Sequence, residues 1–502
     1  MISPLTAKDP RDLFIAGGPD AVREKLATAK TYRPPIEDPP PDPEADPVAA
    51  PRKRRGLCAF QNSDAGNAER LHEVHGENLR HVTESGQWLI WNGCRWEPDS
   101  TGEVVRRFIE VMRAMAREAA DHPSAEAAQA LAKFALQSCN RARIEAGISL
   151  AKSIAGVSVS VNDLDADPWL VGTPEGAIDL RTGRPITPRR EHLITKSIGA
   201  SFDPQAECPT WERFIATVTG GDTELADFLQ AAVGYTLTGK VTEQCLFFLF
   251  GHGQNGKGVF TETGKRLIGD YGQTAPESLF TKDRNPAATN DVARLAGCRM
   301  AIAAELDEGA AFAESRIKAL TGGDTITARL LYHEFFDVPP SHKFWISGNH
   351  KPTVRGTDHG IWRRLRLVPF TVTIPEGQKD PHLTAKLAEE LPGILNWAIA
   401  GCLRWQREGL RVPQCVKAAT EAYRAEEDII GQFLDECTEK RPEARAGRTE
   451  LYQSYKQWAE GAGINYPLTA RRFNRQVEER GFQWVKSHGI QTWEGIAIST
   501  DD

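Results

Sequence analysis

The feature that constrains this chain most is a glycine-rich loop, residues 251–258, which reads Gly-His-Gly-Gln-Asn-Gly-Lys-Gly. An apolar run before it predicts a buried strand, and residues 259–267 after it can continue as a helix. Strand, glycine-rich loop, lysine and helix form the order of a phosphate-binding P-loop, because glycines let backbone N–H groups converge on phosphate oxygens. The sequence therefore predicts an α/β fold with a nucleotide site made by Gly251, Gly253, Gln254, Asn255, Gly256, Lys257, Gly258 and Val259.

One position departs from the usual P-loop pattern. The residue after Lys257 normally carries a hydroxyl that ligates Mg²⁺, and here it is Gly258. Thr261 lies one helical turn later, where it is not expected to replace that ligand directly. We therefore expect ATP to bind with Lys257 on its β- and γ-phosphates, and Mg²⁺ to be held mainly by other groups.

Composition excludes several classes of protein. The chain has 502 residues, enough for two to four domains, of which 40% are hydrophobic and 26% charged. No apolar run approaches the roughly 20 residues that span a bilayer, so no membrane partner is expected. The nine cysteines are scattered without a C-x-x-C pair, which disfavours disulfides and structural zinc and favours a reducing cytosol. The net charge of −7 disfavours a coat of nucleic acid but allows a local basic channel.

The chain begins with a segment unlike the rest. Residues 33–51 are rich in proline and acidic residues, which predicts an extended linker within a first segment, residues 1–55. The basic residues 52–55 end it, either as a solvated linker end or as a contact to a DNA backbone.

An N-terminal α/β domain is predicted over residues 56–203. Residues 88–96 read as a hairpin turning at Asn92-Gly93, and residues 170–180 as a second hairpin. Residues 104–155 are rich in alanine and predict helices, broken near residues 121–123. The three tryptophans of the first hairpin could stack on bases, but a place in the core is the favoured interpretation.

Three further segments follow. Residues 204–240 predict a helical lead-in, or collar, and residues 241–375 alternate strands and helices as a P-loop ATPase core does. Residues 376–502 predict helices closed by a hairpin, which suggests a winged helix. Its arginines at 471, 472 and 475 either read a DNA groove or form a solvated face.

Acidic residues follow the next predicted strand of the ATPase core. That strand ends in Glu305, with Asp307 and Glu308 just after it. A P-loop ATPase needs one acid to hold the Mg²⁺ shell and another to polarise the attacking water. An acid after a strand is usually a solvated loop residue, but a spacing of roughly fifty residues after the P-loop favours the catalytic interpretation of Glu305 and Asp307.

Two more polar features complete the predicted site. Asn349 ends the predicted strand 342–348, where it can sense the γ-phosphate. Arg363 and Arg364 offer a pair of guanidiniums, and an arginine supplied across a subunit interface stabilises transition-state charge.

This ordered set resembles superfamily 3 helicases, and more closely the phage and plasmid primase-helicases related to the poxvirus primase-helicase. The resemblance covers about residues 60–500 and implies an AAA+-like ATPase core between the N-terminal α/β domain and the winged helix. It implies a homo-oligomeric ring, usually a hexamer, that uses ATP and Mg²⁺ to translocate 3′→5′ on single-stranded DNA and to unwind forks. We expect it in the cytoplasm of a bacterial host or a phage-infected cell.

The resemblance also assigns roles to residues. Residues 324–340 resemble the family's pore hairpin, with Arg329 and His333 as candidate DNA contacts; an exposed hairpin residue is the plainer interpretation of His333. Either Arg363 or Arg364 would enter the neighbouring subunit's site. Residues 8–21 resemble the tail of a toprim-type primase domain without its acidic metal site. No primase activity is therefore expected from this chain, and a separate primase is a candidate partner.

Two alternatives differ in class from a helicase. The first is a DNA-binding ring or loader that uses ATP only to assemble, and Gly258 is the feature that favours it. The second is a small-molecule P-loop kinase, in which Asn349, the arginine pair and the winged helix would have no natural place.

Overall fold

The computed structural model describes residues 55–251, 253–282, 289–303, 306–307, 309–329, 335–354, 359–464, 467–487 and 490–499. The predicted linker, and all of residues 1–54, lie outside this part of the chain. Of the basic cluster, Arg55 is described: its N–H donates to Glu73 Oε1 at 2.9 Å and its guanidinium lies 4.5 Å from the Phe60 ring. Arg55 is thus bound to the domain that follows it.

The N-terminal module packs four helices against a small mixed sheet. The helices are α1 (Asp64–His75), α2 (Glu103–Ala119), α3 (Ala125–Ser138) and α4 (Arg141–Ala151). The strands are β1 (Leu79–Val82), β2 (Trp88–Trp91), β3 (Trp96–Pro98) and β4 (Ser158–Val159), in the order β3-β2-β1-β4. The break between α2 and α3, and the first hairpin with its turn at Asn92-Gly93, confirm the sequence predictions. Trp96 is fully buried, as the core interpretation required, whereas Trp88 and Trp91 are half-buried.

A second, antiparallel sheet closes this module. It contains β5 (Leu170–Thr173), β6 (Gly176–Asp179) and β7 (Arg184–Ile186), paired in that order. The second predicted hairpin is therefore confirmed. Two helices, α5 (Pro209–Val218) and α6 (Thr223–Leu237), then precede the central sheet, in agreement with the helices predicted for this segment.

The centre of the chain is a five-stranded parallel sheet. Its strands are β8 (Leu246–Phe250), β9 (Gly272–Thr274), β10 (Met300–Ala303), β13 (Lys343–Gly348) and β14 (Leu365–Pro369), in the order β14-β8-β13-β10-β9. Both faces are covered, because Phe247 and Leu249 of β8 pack into one core while Leu246 and Phe248 pack into another. The helices between these strands are α7 (Lys257–Ile268), α8 (Thr289–Ala293), α9 (Glu314–Thr321) and α10 (His359–Trp362).

A two-stranded antiparallel hairpin interrupts the sheet between β10 and β13. It consists of β11 (Ile326–Arg329) and β12 (Phe335–Val338), with Arg329 opposite Phe335. Both strands lie within residues 324–340, so the predicted hairpin is confirmed. Residues 330–334, and with them the candidate His333, lie outside the described residues.

The C-terminal region is helical and ends in a separate small sheet. Its elements are α11 (Leu383–Glu389), α12 (Leu391–Glu408), α13 (Gln414–Glu427), α14 (Ile429–Cys437), β15 (Thr438–Gly447), α15 (Arg448–Gly461), α16 (Ala470–Glu479), β16 (Trp484–Ser487) and β17 (Ile490–Ile498). The strands pair antiparallel in the order β15-β17-β16 over a core of their own. Helices α6 and α12 approach so closely that a Cβ on Gly234 would lie 2.0 Å from the Cys402 nitrogen. The contact therefore requires glycine at residue 234. Among the described residues, no helix is long and apolar enough to cross a membrane.

Candidate nucleotide site

The glycine-rich loop leaves the carboxyl end of β8 and enters α7. Its backbone is left-handed at Gly253 (φ +38°), Gln254 (φ +53°) and Gly256 (φ +83°). A Cβ on Gly251 would lie 2.0 Å from the Phe370 carbonyl oxygen, and one on Gly256 2.6 Å from Val218, so both positions require glycine. The open helix N-terminus beyond this turn has the geometry that favours an anion.

Lys257 is the centre of a hydrogen-bond network over this loop. The residue is 6% exposed. Its ammonium donates to the Gly251 carbonyl at 2.5 Å, to Asn255 Oδ1 at 3.2 Å and to Asn349 Oδ1 at 3.1 Å. Asn255 is fixed in turn, because its Nδ2 donates to the Phe370 carbonyl at 2.9 Å. The structure thus brings the predicted phosphate-binding lysine and the predicted sensor into contact.

The two positions considered as sources of a hydroxyl ligand for Mg²⁺, residues 258 and 261, have different surroundings. The Thr261 hydroxyl donates back into its own helix, to the Lys257 carbonyl at 3.0 Å, and is buried. It is therefore engaged away from the loop. Gly258 is exposed, and a Cβ placed on it would meet nothing within 4 Å, so the position has room for the missing hydroxyl.

The segment after Asn349 is held against helix α13. The Lys351 ammonium binds the Glu426 carboxylate and lies 5.2 Å from the rings of Phe250 and Tyr423. The Val354 N–H donates to the carboxylate of Glu427, whose pKa is raised mainly by burial. Helix α13 therefore fixes the segment that follows the predicted sensor Asn349. The Lys351 side chain was not singled out from the sequence, although it lies two residues from Asn349.

The acidic side of the site is described only in part. β10 ends at Ala303, and Glu305 and Glu308 lie outside the described residues. Asp307 is exposed, and its N–H donates to Glu277 Oε1 at 3.0 Å. Sequence reasoning missed Glu277, whose signal is its position three residues after β9, at the same carboxyl edge of the sheet. No cluster of three or more His, Cys, Asp or Glu that could hold a metal occurs in the part of the chain described here.

The two candidate arginines occupy different environments. Arg363 is exposed, and its Nη2 lies 3.4 Å from Gln244 Oε1. Arg364 is 8% exposed and donates to the Gly360 carbonyl of the preceding helix α10 at 2.8 Å. Both stand at the amino edge of the sheet, so the length of β8, about 16 Å, separates them from their own Lys257. Neither arginine is brought to the site of its own chain.

Two other cations were not anticipated from the sequence. Arg299 and Lys343 begin neighbouring strands and are each 2% exposed. Arg299 donates to the carbonyls of Leu237 at 2.6 Å and Leu170 at 2.5 Å, and Lys343 binds the Thr238 carbonyl. Both side chains therefore bind the C-terminal end of α6 to the amino edge of the sheet. Arg299 also binds Leu170 of β5 to the same edge.

The fold is a parallel-sheet α/β architecture in which a glycine-rich loop joins β8 to the N-terminus of α7. Residues 68–220 match a family described as D5 N terminal like, and residues 249–364 match a family of unknown function. The chain is 29% identical over 350 residues to "Putative helicase L207/L206" of Acanthamoeba polyphaga mimivirus, covering 64% of this chain and 36% of that protein. It is 27% identical over 311 residues to "Putative helicase 022R" of Frog virus 3 (isolate Goorha), covering 57% and 31%.

A protein named "Putative primase" from African swine fever virus is 23% identical over 358 residues, covering 64% of this chain and 37% of the relative. The chain therefore spans about a third of the length of these curated relatives. Together these matches support a relationship to a D5-like primase-helicase family.

Solved structures agree on the fold. The apo structure of the NrS-1 C-terminal region matches with a TM-score of 0.51 at 10% identity, covering 86% of this chain and 99% of that one. A second apo form matches with a TM-score of 0.50 at 11% identity, covering 85% and 98%. At such identity the likeness shows a shared fold.

Proposed function

We propose that this chain is the ATP-driven motor of a ring-forming DNA helicase that translocates 3′→5′ on single-stranded DNA for the replication of a phage, prophage or other mobile element. The observation that carries the proposal is the contact between Lys257 and Asn349 across the carboxyl edge of the sheet. It joins a phosphate-binding lysine to a polar group on a neighbouring strand that can register the γ-phosphate. In open α/β sheets, ligands bind at this edge.

The residues present fit a bound Mg²⁺ that is shared with ATP. Mg²⁺ usually takes one or two carboxylates and completes its shell with phosphate oxygens and water, so a site without a hydroxyl at residue 258 remains suitable. The exposed Asp307 carboxylate, the predicted acid Glu305, and Glu277 beside Asp307 are the candidate protein groups. When bound, the ion would neutralise charge on the β- and γ-phosphates.

The arginines support a site shared between subunits. Because Arg363 is exposed at the edge opposite its own P-loop, it is available to a neighbouring chain. Arg364 is buried and bonded to the Gly360 carbonyl of helix α10, so it is the weaker candidate. We propose a homo-oligomer, in the form of a hexamer, in which Arg363 completes the next subunit's ATP site.

Mixing the subunits tests this arrangement. Arg363→Ala and Lys257→Ala chains are each expected to be inactive alone, because each damages one half of every site. Mixed together, they should regain part of the ATPase activity, since some interfaces then pair an intact Lys257 with an intact Arg363. Arg364→Ala serves as the control for a buried arginine, and a mixture that stays inactive would contradict the shared site.

DNA is the proposed track. The hairpin β11–β12 carries Arg329 on an exposed position, and the C-terminal order of α14, β15, α15, α16, β16 and β17 supports the predicted winged helix. Helix α16 exposes Arg471, Arg472 and Arg475, which leaves DNA readout and a solvated face as the two interpretations.

The decisive experiment is unwinding of a forked DNA with ATP and Mg²⁺, with Lys257→Ala as the control. Wild type should displace the strand and hydrolyse ATP faster when single-stranded DNA is present. If folded wild type and Lys257→Ala are equally inactive, the helicase proposal fails. Nucleotide-dependent assembly on DNA with negligible turnover would instead favour a loader, the function that the missing hydroxyl at Gly258 suggests.

A further inference from the structure

The exposed face of the β11–β12 hairpin carries one residue out of keeping with its position. Side chains alternate between the faces of a strand. Ala328 and Val338 point inward and are buried, whereas Thr327, Arg329, Phe335 and Asp337 are exposed. A solvent face is normally polar, yet Phe335 is 58% exposed.

Phe335 is paired with a cation. Arg329 lies directly opposite it across the two strands, and its guanidinium carbon is 4.8 Å from the centre of the phenyl ring. The carboxylate on the same face, Asp337, lies two residues further from the tip, where it accepts a hydrogen bond from the Thr327 hydroxyl at 2.9 Å. Among the described residues of this face, the arginine and the aromatic ring therefore lie nearer the tip, and the carboxylate lies nearer the base.

Single exposed apolar residues are common on protein surfaces and need no explanation. Leu136 is 67% exposed and Ile490 is 64% exposed, but neither carries an aromatic ring that could stack on a base. Trp484 does contact a guanidinium, that of Arg448, but this arginine also packs on Trp493, which is buried. Phe335 differs because its ring and its arginine are both exposed on a two-stranded projection.

We propose that Phe335 is a base-stacking residue for single-stranded DNA, with Arg329 holding the adjacent phosphate. Resting on the DNA-translocating function proposed above, this assigns a base contact to the hairpin in addition to its phosphate contacts. An aromatic ring beside a cation is how proteins grip single strands without reading sequence, because every base has a stacking face. The grip is therefore expected to be indifferent to sequence.

The test compares two probes of equal length, a fluorescein-labelled oligo-dT and an abasic strand, by fluorescence polarisation with the full chain. Phe335→Leu keeps an apolar side chain without a stacking face and should bind oligo-dT about ten-fold more weakly, while its affinity for the abasic strand stays unchanged. Phe335→Trp keeps an aromatic face and should bind oligo-dT about as tightly as the wild type. Leu136→Ala, at another exposed apolar position, should change neither affinity.

Salt dependence separates the two members of the pair. Arg329→Gln should lower the slope of log affinity against log salt by about 0.7, as expected for one phosphate contact on a single strand, whereas Phe335→Leu should leave the slope unchanged. Equal weakening of both probes by Phe335→Leu would overturn the stacking role, and so would unchanged binding of oligo-dT. If wild type binds neither probe, the proposed function fails together with this inference.

Discussion

Two lysines that are almost equally buried lie at opposite edges of the central sheet. Lys257 is 6% exposed at the carboxyl edge, and Lys343 is 2% exposed at the amino edge. Among the described residues, each ammonium donates to three oxygens: Lys257 to one carbonyl and two side-chain amides, and Lys343 to the carbonyls of Thr238, Lys240 and Ser341. Burial of a cation therefore does not by itself mark a ligand site.

The acceptors distinguish the two positions. All three acceptors of Lys343 are backbone carbonyls, and that of Thr238 lies at the C-terminal end of α6, where the helix dipole is negative. Because the backbone fixes these carbonyls, Lys343 cannot exchange them for a ligand. The amide acceptors of Lys257 are side chains, and the loop above it has exposed residues at Gly253 and Gln254. Phosphate oxygens can displace the neutral acceptors of Lys257, whereas Lys343 binds parts of the protein to one another.

The largest effect is expected for Lys257→Met, which keeps much of the side-chain volume and removes the charge. ATP turnover should fall at least about 100-fold, because the charge that stabilises the transferring phosphoryl group is lost. The free energy of unfolding should change by less than about 1 kcal/mol. Phosphate release and denaturant unfolding measure the two quantities, with the exposed Lys265→Met on the same helix as the control. A strongly destabilised but active variant would reverse the comparison.

Lys343→Ala should give the opposite result. Truncation leaves a cavity and three carbonyls without their donor, which is expected to lower the free energy of unfolding by about 3 kcal/mol. ATP affinity of the folded variant should stay within about two-fold of wild type, because no atom of Lys343 faces the loop. Lys265→Ala is the matched control. A loss of ATP affinity without a loss of stability would show that the amino edge takes part in nucleotide binding.

The sequence predicted the local parts of this comparison and missed the long-range ones. The strand, glycine-rich loop and helix around residues 251–258 and the Asn92-Gly93 hairpin are each encoded within a few residues, so pattern and turn chemistry were sufficient to predict them. For Asn349 the sequence predicted only a place at a strand end beside the γ-phosphate. Its contact with Lys257 arises because the carboxyl ends of neighbouring parallel strands meet at one edge of the sheet.

Arg299 and Lys343 could not be predicted in the same way. Each is a basic residue at a strand start, a position that is usually solvated. Their burial depends on the C-terminal end of α6 packing at the amino edge of the sheet, and this tertiary contact is not encoded by the residues next to them in sequence. Glu277 was missed for a related reason, since β9 is only three residues long and gave no clear strand signal.

The pH dependence of the free energy of unfolding should show the effect of burying Lys343. Burial first, and the neighbouring Arg299 guanidinium second, hold the pKa of Lys343 well below its ordinary value of 10.5. Between the folded and unfolded pKa values the unfolded chain binds the extra proton, so stability contributed by this group rises with pH and levels off above about 10.5.

Urea unfolding measured from pH 6 to 10 tests this expectation. The stability difference between wild type and Lys343→Met should grow in favour of wild type as pH rises, by at most about 1.4 kcal/mol per pH unit. Taking the difference cancels the other titrating groups, which both proteins share. Parallel curves would mean that Lys343 titrates alike in the folded and unfolded chains.

The smallest expected effect comes from Gly258→Ser, which adds a hydroxyl beside Lys257 in the first turn of α7. The position is open, so the substitution should not clash, and the glycine-to-serine change within α7 should if anything raise helix stability by a few tenths of a kcal/mol. If carboxylates and water hold Mg²⁺ in the wild type, a new hydroxyl ligand should lower the Mg²⁺ concentration for half-maximal ATPase activity about three-fold. Gly323→Ser, at another glycine with open space around it, is the control. An unchanged Mg²⁺ requirement would mean that the ion does not approach α7 at residue 258, and that the site depends on its acidic side alone.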